Sequence, residues 1–157
     1  IRNPRFAVVY EIYYTMYLAY SDILNADKYN NFKIQVFSNL KLFKNSEKHF
    51  LLKNLSNLCT ISGKRNGIRK TNEFYEIYEM MLNEHAYSYI EDFIDNMTFD
   101  HIVINFLELK KLTEAEQFII NFTNKLPLIN RDQFVNISYL RLYFENDVRF
   151  LNQFKNY

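Results

Sequence analysis

Three histidines, one cysteine and a cluster of carboxylates are the groups in this 157-residue sequence that could move protons, attack an electrophile or hold a metal. His49, His85 and His101 have neither a second His nor a Cys at ligand spacing. A structural zinc needs four such ligands and a catalytic one about three, so no metal site is expected. Glu84-His85 and Asp100-His101 are adjacent pairs, which point to different helix faces and serve each other poorly. Glu91, Asp92 and Asp95 could share one helical turn. Acid–base work also needs a pocket that drives their pKa values apart, so a solvated acidic turn is the expectation. Cys59, in "NLSNLCTIS", falls on or beside an apolar helical stripe and is expected to be a small buried hydrophobe. No catalytic residue, cofactor or metal is assigned, and the chain is not read as an enzyme.

Anion chemistry is the next candidate. "GKRNG", residues 63–67, is rich in Gly and basic residues but lacks the Gly-Lys-Ser/Thr ending of a phosphate loop. It is expected to be a helix-breaking loop. Residues 28–70 carry ten Lys or Arg against Glu47 alone, a net +9, whereas residues 71–118 carry eleven Asp or Glu against Lys110 and Lys111, a net −9. Lys64, Arg65, Arg69 and Lys70, with Lys41, Lys44, Lys48 and Lys53 upstream, could bind phosphates by counterion release. The whole chain is only +1, and its acidic half would repel nucleic acid. Nucleic-acid binding through residues 41–70 is therefore one alternative reading, and an oligomerisation arm of a larger protein is the other. A charge-polarised chain can equally steer an acidic protein partner or another copy of itself.

Every one of these groups must be positioned by helices. In "FAVVYEIYYTMYLAY" Tyr10, Tyr13, Tyr17 and Tyr20 form one helical stripe, which Ala7, Tyr14 and Leu18 extend. This aromatic stripe is expected to be core; the run contains Glu11 and falls short of the ~20 residues a bilayer span needs. Phe32, Val36, Leu40 and Phe43 give a second helix. Ser46 is the expected N-cap of a third, with Phe50, Leu51, Leu55, Leu58 and Ile61 on its buried face. Gly63 is expected to close it in the left-handed conformation. Phe74, Ile77, Tyr78, Met81 and Leu82 mark a fourth, and residues 84–97 a long connection. Helices are then predicted over residues 98–111, 113–125 and 130–145, with a last one from 147. No strand-type alternation is sustained, so the class is all-α. Abundant Asn, Ile, Lys, Tyr and Phe beside only two Gly and two Pro match the bias of an AT-rich genome.

The stretch "LTEAEQFIINFTNKLP" carries most of the architectural signal. Thr113 with Glu116 reads as a capping box, Glu114 suits the positive end of the helix, and Ala115 is small where a neighbouring helix comes close. Ile119 and Phe122 continue that face, and Pro127 closes the unit. Counted from Asn96, Phe99, Ile102, Phe106, Ala115, Ile119 and Pro127 resemble the signature positions of a tetratricopeptide repeat (TPR). Val103 and Phe122 depart from that pattern, standing where it has small residues. A second, partial repeat over residues 130–157 places Phe134, Ile137 and Ser138 at signature positions, with "YLRLYFENDVRFLNQF" holding the end of one helix and the start of the next. The order of features over about residues 52–154 is also similar to helical-repeat proteins of Bacteroidetes, a resemblance that implies a longer parent solenoid and no activity.

The expectation is a single helical-repeat domain over residues 1–157, a right-handed α-solenoid (TPR-like) of about four antiparallel helix pairs, and a piece of a longer chain given its start at Ile1. The resemblance implies a concave groove lined by Asp100, Ile104, Leu107 and Glu108, with Arg141 from the next unit. The expected role is a scaffold holding a peptide or protein segment. Self-association is possible, no membrane span is expected, and one buried thiol suits the cytoplasm.

Overall fold

The computed structural model describes residues 4–68, 70–90 and 92–154. All regular structure among them is helical. Seven α-helices follow in order: α1 (Pro4–Ser21), α2 (Ala26–Asn39), α3 (Asn45–Asn66), α4 (Thr71–Asn83), α5 (Asn96–Glu108), α6 (Leu112–Phe122) and α7 (Arg131–Phe154). Short 3-10 turns follow α2 and α6. The chain divides into two compact units, Ile1–Tyr89 and Ile90–Tyr157, and the division falls in the connection between α4 and α5.

Local chemistry sets the helix ends, in several places differently from expectation. Asn25 caps α2, its Oδ1 accepting from the N–H groups of Asp27 and Lys28 at 3.1 and 3.2 Å. Asp95 caps α5 with one oxygen on the Thr98 N–H, at 2.8 Å, and the other on the Thr98 hydroxyl, at 2.6 Å. Ser46 does not cap α3: the helix begins at Asn45, and the Glu47 carboxylate accepts from the Lys44 N–H at 2.9 Å. The Thr113–Glu116 box does not form either. Buried Leu112 starts α6, so the cap position falls on Lys111, whose carbonyl accepts from the Ala115 N–H.

Gly67, not Gly63, ends α3, with φ 64°. Gly63 is glycine for a different reason: a Cβ there would lie 2.6 Å from the Ile68 carbonyl oxygen, which folds back over it. Four other residues with side chains take positive φ at chain corners, His85 (51°), Asp92 (57°), Lys110 (58°) and Asn130 (64°).

In the first unit α1 packs on α2, α2 on α3 and α3 on α4. Ile12, Phe32, Val36, Leu51, Leu52, Leu55, Ile77 and Met81 are fully buried there. Each such side chain contributes roughly 1.5–3 kcal/mol by leaving water. In the second unit α5, α6 and α7 all pack on one another. Ala115 is fully enclosed, as a close helix approach demands, and Phe118 gathers Phe99, Phe106 and Phe122 at ring-centroid distances of 5.1, 6.0 and 4.6 Å. Helices α5 and α6 thus form a packed pair. The second repeat does not turn where expected: α7 runs unbroken through Glu145, Asn146 and Asp147, because Asn-Asp without Gly or Pro does not stop a helix.

Candidate interaction site

The groove residues read from the sequence lie in the second unit, and the fold uses them unequally. Asp100 of α5 and Arg141 of α7 form an ion pair with each other, so they tie two helices together. Leu107 is 6% exposed and belongs to the core, which corrects its groove assignment: α5 turns this part of its face toward its neighbours. Ile104 and Glu108 are half-buried. Three of the five positions therefore serve the fold first.

The basic stretch of the first unit is engaged in part. Lys48 of α3 donates to Glu84 at 2.7 Å, and this hydrogen bond holds the Glu84 carboxyl below its ordinary range. Lys33 pairs with Glu76 of α4, and Lys28 lies 3.1 Å from Asp22. The Lys70 ammonium sits 5.1 Å from the Tyr29 ring centroid. Lys64 and Arg65 are exposed at the end of α3, and Arg69 lies outside the described residues. Lys33–Glu76 and Lys48–Glu84 thus meet part of the charge contrast along the sequence locally, while Lys41 and Lys44 are exposed.

The proton-moving candidates have structural partners. His49 is buried, with Nδ1 2.9 Å from the Ala86 carbonyl oxygen and its ring edge-on to Tyr89 at 4.3 Å. Cys59 lies 2.9 Å from the buried Tyr29 hydroxyl, and burial pushes both groups above their ordinary pKa ranges. Asp95 caps α5, Asp92 pairs with Lys125 at 2.7 Å, and Glu91 lies outside the described residues. Among the described residues no three His, Cys, Asp or Glu side chains come together to hold a metal, and no helix is long and apolar enough to cross a membrane.

The feature that sequence reasoning misplaced is the aromatic stripe of α1. It faces outward: Phe6, Tyr10 and Tyr17 are 72%, 70% and 67% exposed, and Tyr13 and Tyr14 are also exposed. The helix instead buries Ile12, Thr15 and Ala19. Tyr10 and Tyr14 stack with centroids 6.2 Å apart, and Tyr13 leans toward Phe50 of α3 at 6.3 Å. Tyr20 alone of the four spaced tyrosines turns its hydroxyl to an internal partner, Asn54 Oδ1 at 2.8 Å. The signal that could have found this is a second stripe of the same spacing, Val8, Ile12, Thr15, Met16 and Ala19, made of smaller side chains. In the other unit α7 also exposes Leu140, Tyr143 and Phe144 along one face. The chain matches no family model, no curated protein and no solved structure.

Proposed function

We propose that this chain is a non-enzymatic scaffold, a right-handed TPR-like array of helix pairs that holds a peptide or helical segment of a protein partner. The observation that carries the reading is the outward aromatic face of α1, Phe6, Tyr10, Tyr14 and Tyr17. Contiguous exposed apolar surface of this kind marks interaction sites. Tyrosine is enriched among the residues that dominate binding energy, because a rigid ring supplies area and the hydroxyl supplies a hydrogen bond. A partner helix with apolar residues at i, i+3, i+4 and i+7 would lie along such a stripe. The α5–α6 pair, with Phe99, Ile102, Ala115 and Ile119 buried at the repeat's signature positions, supports the repeat architecture. The single buried thiol suits a reducing cytoplasm.

The nucleic-acid alternative has less behind it, since Lys48 and Lys70 in the basic region are already engaged within the fold. The test is a photo-reactive phenylalanine placed at position 10 or 17 in cells, with the same group at the exposed Asn72 of α4 as reference. A discrete protein adduct from positions 10 and 17 alone is expected. Equal, diffuse labelling from all three positions would overturn the reading.

A further inference from the structure

We infer that Asn66 and Gly67, the exposed turn where α3 ends, form a self-modification site at which the folded chain slowly converts its own asparagine to aspartate and isoaspartate in water. This goes beyond the scaffold reading and does not depend on it.

The reaction requires the backbone nitrogen of the residue after an asparagine to reach that asparagine's side-chain Cγ. A Cβ on the following residue crowds this approach, and glycine has none. The sequence is rich in Asn, yet only Asn66 is followed by Gly. Asn66, Gly67 and Ile68 are all exposed, and a Cβ built on Gly67 would meet nothing within 4 Å. Water and a solvent base therefore reach the reacting groups.

A helix ordinarily withholds the attacking nitrogen by engaging its N–H and fixing its dihedrals. At this helix end the hold is shared. The Gly67 N–H donates to the Gly63 carbonyl, and the Ile68 N–H donates to the same oxygen at 3.0 Å. When the last turn frays, Gly67 is released while that carbonyl keeps its bond from Ile68. Gly67, at φ 64°, also leaves its conformation without the steric barrier a side chain would impose. Lys64 and Arg65, exposed in the same turn, favour loss of the amide proton and the negative charge that develops on the attacked oxygen.

The Gly67 nitrogen gives its proton to the solvent base and bonds to Asn66 Cγ, the Cγ–Nδ2 bond breaks, and ammonia leaves a succinimide ring behind. Water then opens the ring. Opening at Cγ yields aspartate, and opening at the backbone carbonyl yields isoaspartate, whose main chain runs through Cβ and Cγ and is one carbon longer. Nothing is oxidised, and water is the only co-reactant. Either product places a new carboxylate at the negative end of α3, within the basic stretch. Isoaspartate also displaces Ile68, whose carbonyl oxygen folds over Gly63.

The experiment incubates the full folded chain at neutral and mildly alkaline pH, digests it in acid, and maps each asparagine by peptide mass. Isoaspartate is read separately by enzymatic methylation. The Asn66→Gln variant, at an exposed position and checked by circular dichroism, and the urea-unfolded chain accompany it. The acid form should accumulate at position 66 ahead of the exposed Asn72 and Asn124, and faster as pH rises, because the nitrogen must shed its proton. The variant should lose the isoaspartate signal. An amide kept at position 66 in the folded chain while the unfolded chain converts it would mean that the helix end protects the site, and overturns the inference. Equal conversion at Asn72 and Asn124, or isoaspartate that survives Asn66→Gln, overturns the role of Gly67. None of these outcomes bears on cross-linking from positions 10 and 17.

Discussion

Helices α1 and α5 carry apolar stripes of the same helical period, and α5 turns its stripe inward while α1 turns its stripe out. In α5, Phe99, Ile102, Val103 and Leu107 have no polar atoms beyond the backbone, and burying them costs only side-chain order. In α1 the wider stripe is nearly all tyrosine, and each hydroxyl buried without a partner would cost about 1–3 kcal/mol. The opposite face offers Ile12, Thr15 and Ala19, whose small side chains let α2 approach closely, and the Thr15 hydroxyl is satisfied by the Ile12 carbonyl at 2.9 Å. When a helix is apolar on both sides, the face needing fewer polar partners goes in. Its period is then shared by both faces, and side-chain chemistry decides the phase.

That contrast can be broken most directly at its extremes. Phe99→Ala should cost about 3–5 kcal/mol. Tyr17→Ala should cost under about 0.5 kcal/mol, both read from urea midpoints. Equal losses would mean that α1 buries its tyrosines after all. The middle of the range tests closeness of approach: Ala115→Leu in the second unit should destabilise by about 1–3 kcal/mol through overpacking. Ala7→Leu on the exposed side of α1 should stay within about 0.5 kcal/mol.

The smallest effect sharpens the comparison within the tyrosine stripe itself. Tyr20→Phe removes the bond to Asn54 and should cost about 1 kcal/mol, while Tyr17→Phe should cost nothing measurable. Burial raises the Tyr20 pKa, so its contribution is intact below the ordinary tyrosine range. It is lost as pH climbs past about 10, where the unfolded chain ionises first. The Tyr20→Phe variant should therefore lose stability less steeply over that alkaline range, and an unchanged slope would remove Tyr20 from the interior.

The helical class and most helix positions were legible because core periodicity is written directly in residues such as Phe32, Val36, Leu51 and Leu55. The ends were less so. Thr113 and Glu116 have the spacing of a capping box, but the buried Leu112 fixes the start of α6 two residues too early for it. Gly63 was expected to end α3 and Gly67 does, and only three-dimensional proximity to the Ile68 carbonyl distinguishes a glycine needed for space from one needed for φ. The groove positions failed in part for a similar reason. Spacing placed Asp100, Ile104, Leu107 and Glu108 on one face of α5, but not how far α7 covers that face. Leu107 went into the core, and Asp100 found Arg141.

The four corner residues with positive φ give the composition a physical consequence. With only two glycines in the sequence, the chain turns at Lys110, Asn130, His85 and Asp92 instead, where a Cβ crowds the backbone. Each such corner gives up about 1 kcal/mol relative to glycine, less for Asn and Asp. In a domain of this size that corresponds to a few degrees of melting temperature apiece. Heat tolerance in this protein is thus limited in part at these exposed bends, where glycine could raise it without any change to the core.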